Sequence, residues 1–172
     1  IYYGGENEFF DYDKVVIATH ADQALDIIDN PTSDEEEILK NFKYRDNSAV
    51  IHFDESVMPK NKKAWCSWNS SMSKDNIKKT SVTYWLNQLQ NLKINRDIFL
   101  TINPFRDIPE DKIFKKVKFT HPYYDNAALS NQNNLNKIQN KKNILFCGSY
   151  FGYGFHEDGI KSSIDMLKTL ND

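Results

Sequence analysis

Cysteine is nearly absent from this chain. The two residues present, Cys66 and Cys147, lie far apart and lack metal-ligand spacing, so no thiolate site is built and no disulfide framework is forced. Four histidines stand without paired spacing, so no metal centre is expected. No apolar run reaches the length of a membrane span, and no signal-peptide pattern opens the chain. These absences give the expectation of a soluble, cytoplasmic protein without a transmembrane segment. An excess of one charge is also lacking: 22 basic against 24 acidic residues leave a net charge of −2. That argues against a polyanionic partner spread over the surface. Short basic runs at 60–63, 115–118 and 141–142 read as solvated surface. No internal repeat is visible. Glycine is scarce, with six in 172 residues, so where the glycines fall carries information.

Four of the six fall in one late stretch, residues 144–163, ILFCGSYFGYGFHEDGIKSS. The apolar run 144–147 reads as a short buried strand. Gly148, Gly152 and Gly154 follow, interleaved with Tyr150, Phe151, Tyr153 and Phe155, and then Glu157, Asp158 and Gly159 open a helical pattern. Strand, glycine-bearing turn and helix start together bring bare backbone N–H groups up to a ligand. Eleven Phe, nine Tyr and three Trp suit a protein that encloses a flat or apolar ligand.

The rest of the chain is of two kinds. Residues 2–12 alternate around Gly4-Gly5 and read as a hairpin. Val15, Val16 and Ile17 form an unbroken β-branched run, the mark of a strand covered on both faces. Ala18, Thr19 and His20 make a turn, and residues 22–29 carry Ala24, Leu25 and Ile28 at helical spacing. Residues 33–42 predict a second helix, with Ser33 and Glu36 as its capping box and its acids at the positive end of the dipole. Strands are expected at 48–53, 64–69, 81–86, 97–102 and 116–120, without intervening helices, which points to an antiparallel sheet. Residues 124–139 predict one amphipathic helix with Ala128, Leu129, Gln132, Leu135 and Ile138 on one side. The expected fold class is α+β, with α/β character at the two ends: an antiparallel sheet packed with helices, flanked by parts of a Rossmann-like layer.

Two motifs carry a family resemblance. D-x-V-V-I-A-T-H-A-D at 13–22, followed much later by F-C-G-S-Y-x-G-Y-G-F-H-E-D-G at 146–159, resembles the C-terminal part of the flavin-containing amine-oxidase superfamily, in its bacterial branch of NAD/FAD-binding proteins. Residues 64–69, 82–90, 101–104 and 121–122 are similar to the same branch. The resemblance implies an FAD-dependent oxidoreductase that transfers hydride from a substrate C–N or C–C bond to flavin. It implies FAD-binding layers at 1–30 and 140–172 and a substrate domain at 31–139. The G-x-G-x-x-G that opens such enzymes has no counterpart here. With no Met before Ile1, the chain reads as a C-terminal portion of a longer enzyme, inactive when isolated.

Carried over by position, Gly148 and Ser149 are expected near the pyrophosphate and ribityl chain. His156, Glu157, Asp158, Gly159 and Ile160 begin the helix under the flavin ring, with the Gly159 and Ile160 amides as donors. Ala18 and Thr19 follow the strand that passes the cofactor. Tyr150 and Tyr153 are the candidates to flank a small-molecule or lipid-like substrate. FAD is expected to bind non-covalently, and no catalytic residue is assigned. Blander readings stand beside these. His156-Glu157 and His20 fit turn and helix capping, His52 a surface or sheet-paired histidine, and His121 a bend. Cys147 fits a small buried hydrophobe, and part of the set Trp65, Trp68, Tyr84 and Trp85 fits plain core. The alternative function is a non-catalytic module that binds no cofactor alone and pairs with a partner chain or with itself. A nucleic-acid platform fits poorly, because basic residues do not interleave with the strand aromatics.

Overall fold

The computed structural model describes residues 10–73 and 79–170. The hairpin expected at 2–12 lies almost wholly outside the described residues. The chain divides into two compact units, one of Ile1–Arg45 with Pro122–Asp172 and the other of Asp46–His121.

The first unit is built on a parallel pair, β1 (Val15–Ile17) and β7 (Ile144–Phe146), in register Val15↔Ile144, Val16↔Leu145 and Ile17↔Phe146. Strand alternation sends Ile17 and Phe146 to one face. There they join Ala21 and Ala24 of α1 (Ala21–Ile27), Ile38 and Leu39 of α2 (Ser33–Leu39), and Ala128 of α4 (Asn126–Gln132). Leu145 and Cys147 lie on the other face, against Met166 of α5 (His156–Lys168). Cys147 is the small buried hydrophobe that its position after an apolar run predicts.

Two helices depart from expectation. The α2 cap falls one residue early: Thr32 Oγ1 accepts from the Glu35 amide and the Glu35 carboxylate accepts from the Thr32 amide. The reciprocal geometry needs a hydroxyl three residues before a carboxylate, and Thr32–Glu35 supplies it as well as Ser33–Glu36. The expected helix over 124–139 is broken into α4 and a 3-10 turn, Leu135–Ile138. Asparagines crowd the break. Asn131 donates its side-chain amide to the Ala127 carbonyl, local bonding that competes with the helical ladder.

The second unit holds most of an antiparallel sheet of β2 (Lys43–His52), β3 (Trp68–Met72), β4 (Thr80–Trp85), β5 (Phe99–Ile102) and β6 (Ile113–Tyr123), in spatial order β3-β4-β5-β2-β6. A short helix, α3 (Leu86–Leu89), follows β4. The α+β class is as expected. β6 runs through Pro122 instead of bending at His121, and its place at the sheet edge tolerates a residue with no N–H to give. Trp65 lies before β3 rather than in it. It packs edge-on to Trp85 and Phe99, while Trp68 meets Tyr84 on the other face.

The sheet buries the face that carries polar groups. Ser81, Thr83, Thr101 and His52 are buried together with Phe99 and Val50. Their alternates Val82, Tyr84, Leu100, Ile102 and Ile51 are only half-buried. His52, expected at the surface or simply paired in the sheet, is fully buried.

The sequence division at 30/31 and 139/140 differs from the observed one at 45/46 and 121/122. The reason is packing: α2, Phe42 and α4 contribute to the core around Ile17 and Phe146.

Candidate functional site

β1 and β7 run parallel, so both end on the same side of the first unit. The Cys147 amide donates to the Ile17 carbonyl and extends the ladder by one step. The two turns after these strands, Ala18-Thr19-His20 and Gly148-Ser149-Tyr150, are therefore neighbours. In a parallel layer, ligands bind outside the carboxyl ends of the strands.

Gly148 is required by close approach. A Cβ there would stand 2.7 Å from Tyr150 Cε1 and 3.3 Å from the Thr19 carbonyl oxygen. Its amide donates to Ser162 Oγ of α5, which in turn donates to the Gly159 carbonyl. This clasp draws the first turn of α5 over Ser149, and a Cβ on Gly159 would lie 3.8 Å from the Ser149 nitrogen. Ala18, Thr19, Gly148, Ser149 and Gly159 are thus brought to one end of the unit.

The remaining candidates separate. Asp158 works as a helix cap: one carboxylate oxygen accepts from both the Tyr153 and Phe155 amides. The Gly159 amide, expected to face a ligand, donates to the Phe155 carbonyl. Ile160 lies beyond the first turn, where amides bond within the helix. His156 and Glu157, both exposed at the start of α5, hold positions whose amides have no intrahelical acceptor. Tyr153 is 71% exposed, whereas Tyr150 is buried in the core against Phe42. The two tyrosines do not flank one space. Burial pushes the Tyr150 phenol well above its ordinary range, and its hydroxyl has no hydrogen-bond partner among the described residues.

His20 is the N-cap of α1, in line with the capping reading, and Tyr44, Gln132 and Gln139, which the sequence reading did not assign to the site, also build this end. His20 stacks on Tyr44, ring centroids 4.2 Å apart, and the Tyr44 hydroxyl accepts from the Ala21 amide at 2.9 Å. Burial raises the Tyr44 phenol to about 12. Gln132 donates to the carbonyls of Tyr150 and Gly152. Gln139 spans the outer edge of β7, accepting from the Phe146 amide at 2.9 Å and donating to the Phe146 carbonyl at 2.6 Å. The available signal was an amide on the apolar side of the 124–139 pattern.

These contacts give the layer two unlike edges. The β7 edge is closed by Gln139. Beyond it lies a groove of about 530 Å³ with Asn136, Tyr153, Lys161 and Asp165 among its lining residues. The β1 edge differs. Val15 and Ile17 bond toward β7, so the Val16 N–H and C=O point outward, and no described strand pairs with them. The Val16 side chain is 48% exposed. On the flank of α5 opposite the groove, Ile160, Ile164 and Leu167 form an exposed apolar stripe at helical spacing.

The chain is similar in fold to a fatty acid isomerase. The solved structure is the CLA-producing fatty acid isomerase from P. acnes, matched with a TM-score of 0.58 at 13% identity over 91% of this chain. The match takes in 41% of the isomerase chain, so this chain spans well under half of that protein's length. At this identity the likeness is one of fold. No protein-family model matches the chain, and no curated protein matches it in sequence. Among the described residues, no helix is long and apolar enough to cross a membrane. No group of three or more His, Cys, Asp or Glu side chains among them is placed to hold a metal.

Proposed function

We propose that this chain is the sheet-bearing part of an FAD-dependent oxidoreductase of amine-oxidase type, acting on a small or lipid-like molecule in the cytoplasm. The observation that carries the reading is the unequal pair of edges: among the described residues, the layer is finished at β7 by Gln139 and no strand pairs with the outer edge of β1. A nucleotide-binding half that adds strands along Val16 and covers Ile160, Ile164 and Leu167 would complete it. The first unit then belongs to the cofactor layer, and the sheet of Asp46–His121 to the substrate side.

The residues fit one wall of a flavin site. The His156 and Glu157 amides open α5 toward negative charge. The first turn of α5 lies over Ser149, and Ala18 and Thr19 border the same end. A bound flavin would supply hydride acceptance from a substrate carbon, and the chain's part is to orient it and to stabilise charge. Binding is non-covalent in this reading. The fold likeness to a fatty acid isomerase supports a lipid-like substrate over an amine.

The test is a visible spectrum of the purified chain after FAD is added and the excess removed. A retained, perturbed flavin band is expected if this wall holds the cofactor alone. If none is retained, the same assay is repeated with a chain carrying G-x-G-x-x-G supplied in trans. Absence of flavin in both refutes the reading. A second reading is favoured by the apolar α5 stripe: a non-catalytic module that self-associates through it. Flavin-free dimers that dissociate on Ile164→Lys would support that reading instead.

A further inference from the structure

The second unit contains a buried histidine whose protonation state is fixed by its neighbours. His52 is fully buried. Its Nδ1 lies 3.1 Å from the Asp54 amide nitrogen and its Nε2 lies 2.8 Å from Thr101 Oγ1. A backbone N–H can only donate, so Nδ1 must be the bare, accepting nitrogen. The ring proton then sits on Nε2 and is given to Thr101 Oγ1, which also shares a hydrogen bond with Thr83 Oγ1 at 2.9 Å in which either hydroxyl can donate.

Asp54 anchors the turn after β2. Its carboxylate, on a residue 1% exposed, accepts from the Ser56 hydroxyl at 2.7 Å, the Ser56 amide at 3.3 Å and Lys112 Nζ at 2.8 Å. It thereby caps the 3-10 turn Glu55–Val57. The Asp54 amide ties that turn to His52 on the polar face of the sheet, and the carboxylate ties it to Lys112. We propose that His52 is an acid-operated latch: uptake of a proton at Nδ1 sets N–H against N–H, expels the Asp54 amide, and frees the Asp54–Val57 turn from the sheet.

The groups facing the ring allow this. From β5 come Phe99, with ring centroids 5.6 Å apart, and Thr101; from β4, through Thr101, comes Thr83. None of these carries charge. Among the described residues the charged groups at this turn are the Asp54 carboxylate, Lys112 bound to it, Glu55 beside Lys112, and Arg106, which donates to the Ser56 carbonyl at 3.4 Å. Burial pulls the His52 imidazole below its ordinary value, and the Asp54 charge opposes this only in part. The opened form, with the ring in water, binds the proton more tightly than the closed form. Opening is thus favoured as pH falls. Between the ordinary histidine value near 6.5 and the depressed value of the closed form, each pH unit raises the open fraction about tenfold.

The test uses nuclear magnetic resonance on the full 172-residue chain. Ring nitrogen shifts at pH 7.5 are expected to show His52 neutral with the proton on Nε2. Protection of the Asp54 amide, corrected for intrinsic exchange, is expected to fall about tenfold per pH unit below 6.5, while the Phe99 amide keeps its protection. His52→Asn sets a non-titrating oxygen near the Nδ1 position and should flatten the Asp54 profile. A proton on Nδ1 at pH 7.5, a flat wild-type profile, or equal loss at Asp54 and Phe99 overturns the proposal. An unchanged slope in His52→Asn does so too. If that variant does not fold, the three wild-type results decide by themselves.

Discussion

Replacing Gln139 with methionine tests the idea that one side-chain amide closes the β7 edge. Gln139 pairs with both backbone groups of Phe146, and Phe146 has no exposed surface. Methionine keeps the length and removes both bonds. Each buried backbone group left unpaired costs about 1–3 kcal/mol, which sets a ceiling near 6. The groove beside Gln139 is open, so water can reach part of the exposed edge and lower the cost. The expected loss is about 2–3 kcal/mol, read as a lower urea midpoint at unchanged slope. Gln139→Glu sharpens the test. A carboxylate accepts from the Phe146 amide but meets the Phe146 carbonyl with a second oxygen, whereas the protonated acid restores the donor. Its folded pKa is therefore raised, so the variant should approach wild type below the ordinary glutamate value near 4.3 and fall behind as pH rises. A Gln139→Met midpoint within about 0.5 kcal/mol of wild type, or a Gln139→Glu deficit that does not change with pH, would refute the edge-closing role.

Three other substitutions probe separate contacts. Gly148→Ala drives a methyl into the buried Tyr150 ring and should cost about 1–3 kcal/mol of unfolding free energy; a neutral result would mean that the Thr19–Gly148 approach can loosen freely. Tyr150→Phe removes a buried hydroxyl that has no partner among the described residues, so its urea midpoint should equal or exceed wild type, and a clear loss would reveal a hydrogen bond at that oxygen. At Asp54, burial raises the carboxyl, but the bonds from Lys112 and Ser56 outweigh it and hold the group below its ordinary value. The stability this provides is present above the unfolded pKa and is lost as pH falls through the folded one. The deficit of Lys112→Met should therefore be largest at neutral pH and vanish in acid, which unfolding midpoints at pH 7 and pH 3 would compare.

Much of the fold could be read from local pattern. The β-branched run at Val15–Ile17, the apolar run before Gly148 and the alternating central strands all announced themselves, because burial writes hydrophobic periodicity into a chain. The start of α5 was legible from Glu157 and Asp158, acids placed where a helix begins. Other features were hidden for a physical reason. His52 is paired in the sheet, one of the two places expected for it, but its burial was hidden because alternation assigns apolar residues inward, and this sheet buries a face bearing hydroxyls and an imidazole that satisfy one another. Such pairing is invisible until the strands are in register. The unit boundary was hidden because α2 and α4 are amphipathic, and an apolar stripe does not name the surface it will cover. At the candidate site, the glycines were taken to clear room for a ligand. The space at Gly148 is filled by Tyr150 of the same turn and that at Gly152 by Asp158 of α5, a use that spacing alone cannot distinguish.

The insertion of one unit within the other sets an order of assembly. β1 and β7 pair across about three quarters of the chain, Val15 with Ile144, and closing so long a loop carries an entropic penalty before any contact repays it. The unit Asp46–His121 is a single continuous segment whose ends meet, Asn47 touching His121 at 3.0 Å. When it forms first, the loop that remains to be closed is cut by more than half, and each halving lowers the penalty by about 0.6 kcal/mol. The antiparallel sheet thus acts as a splint for the parallel pair. A lesion within Asp46–His121 should slow the appearance of structure around Ile17 and Phe146.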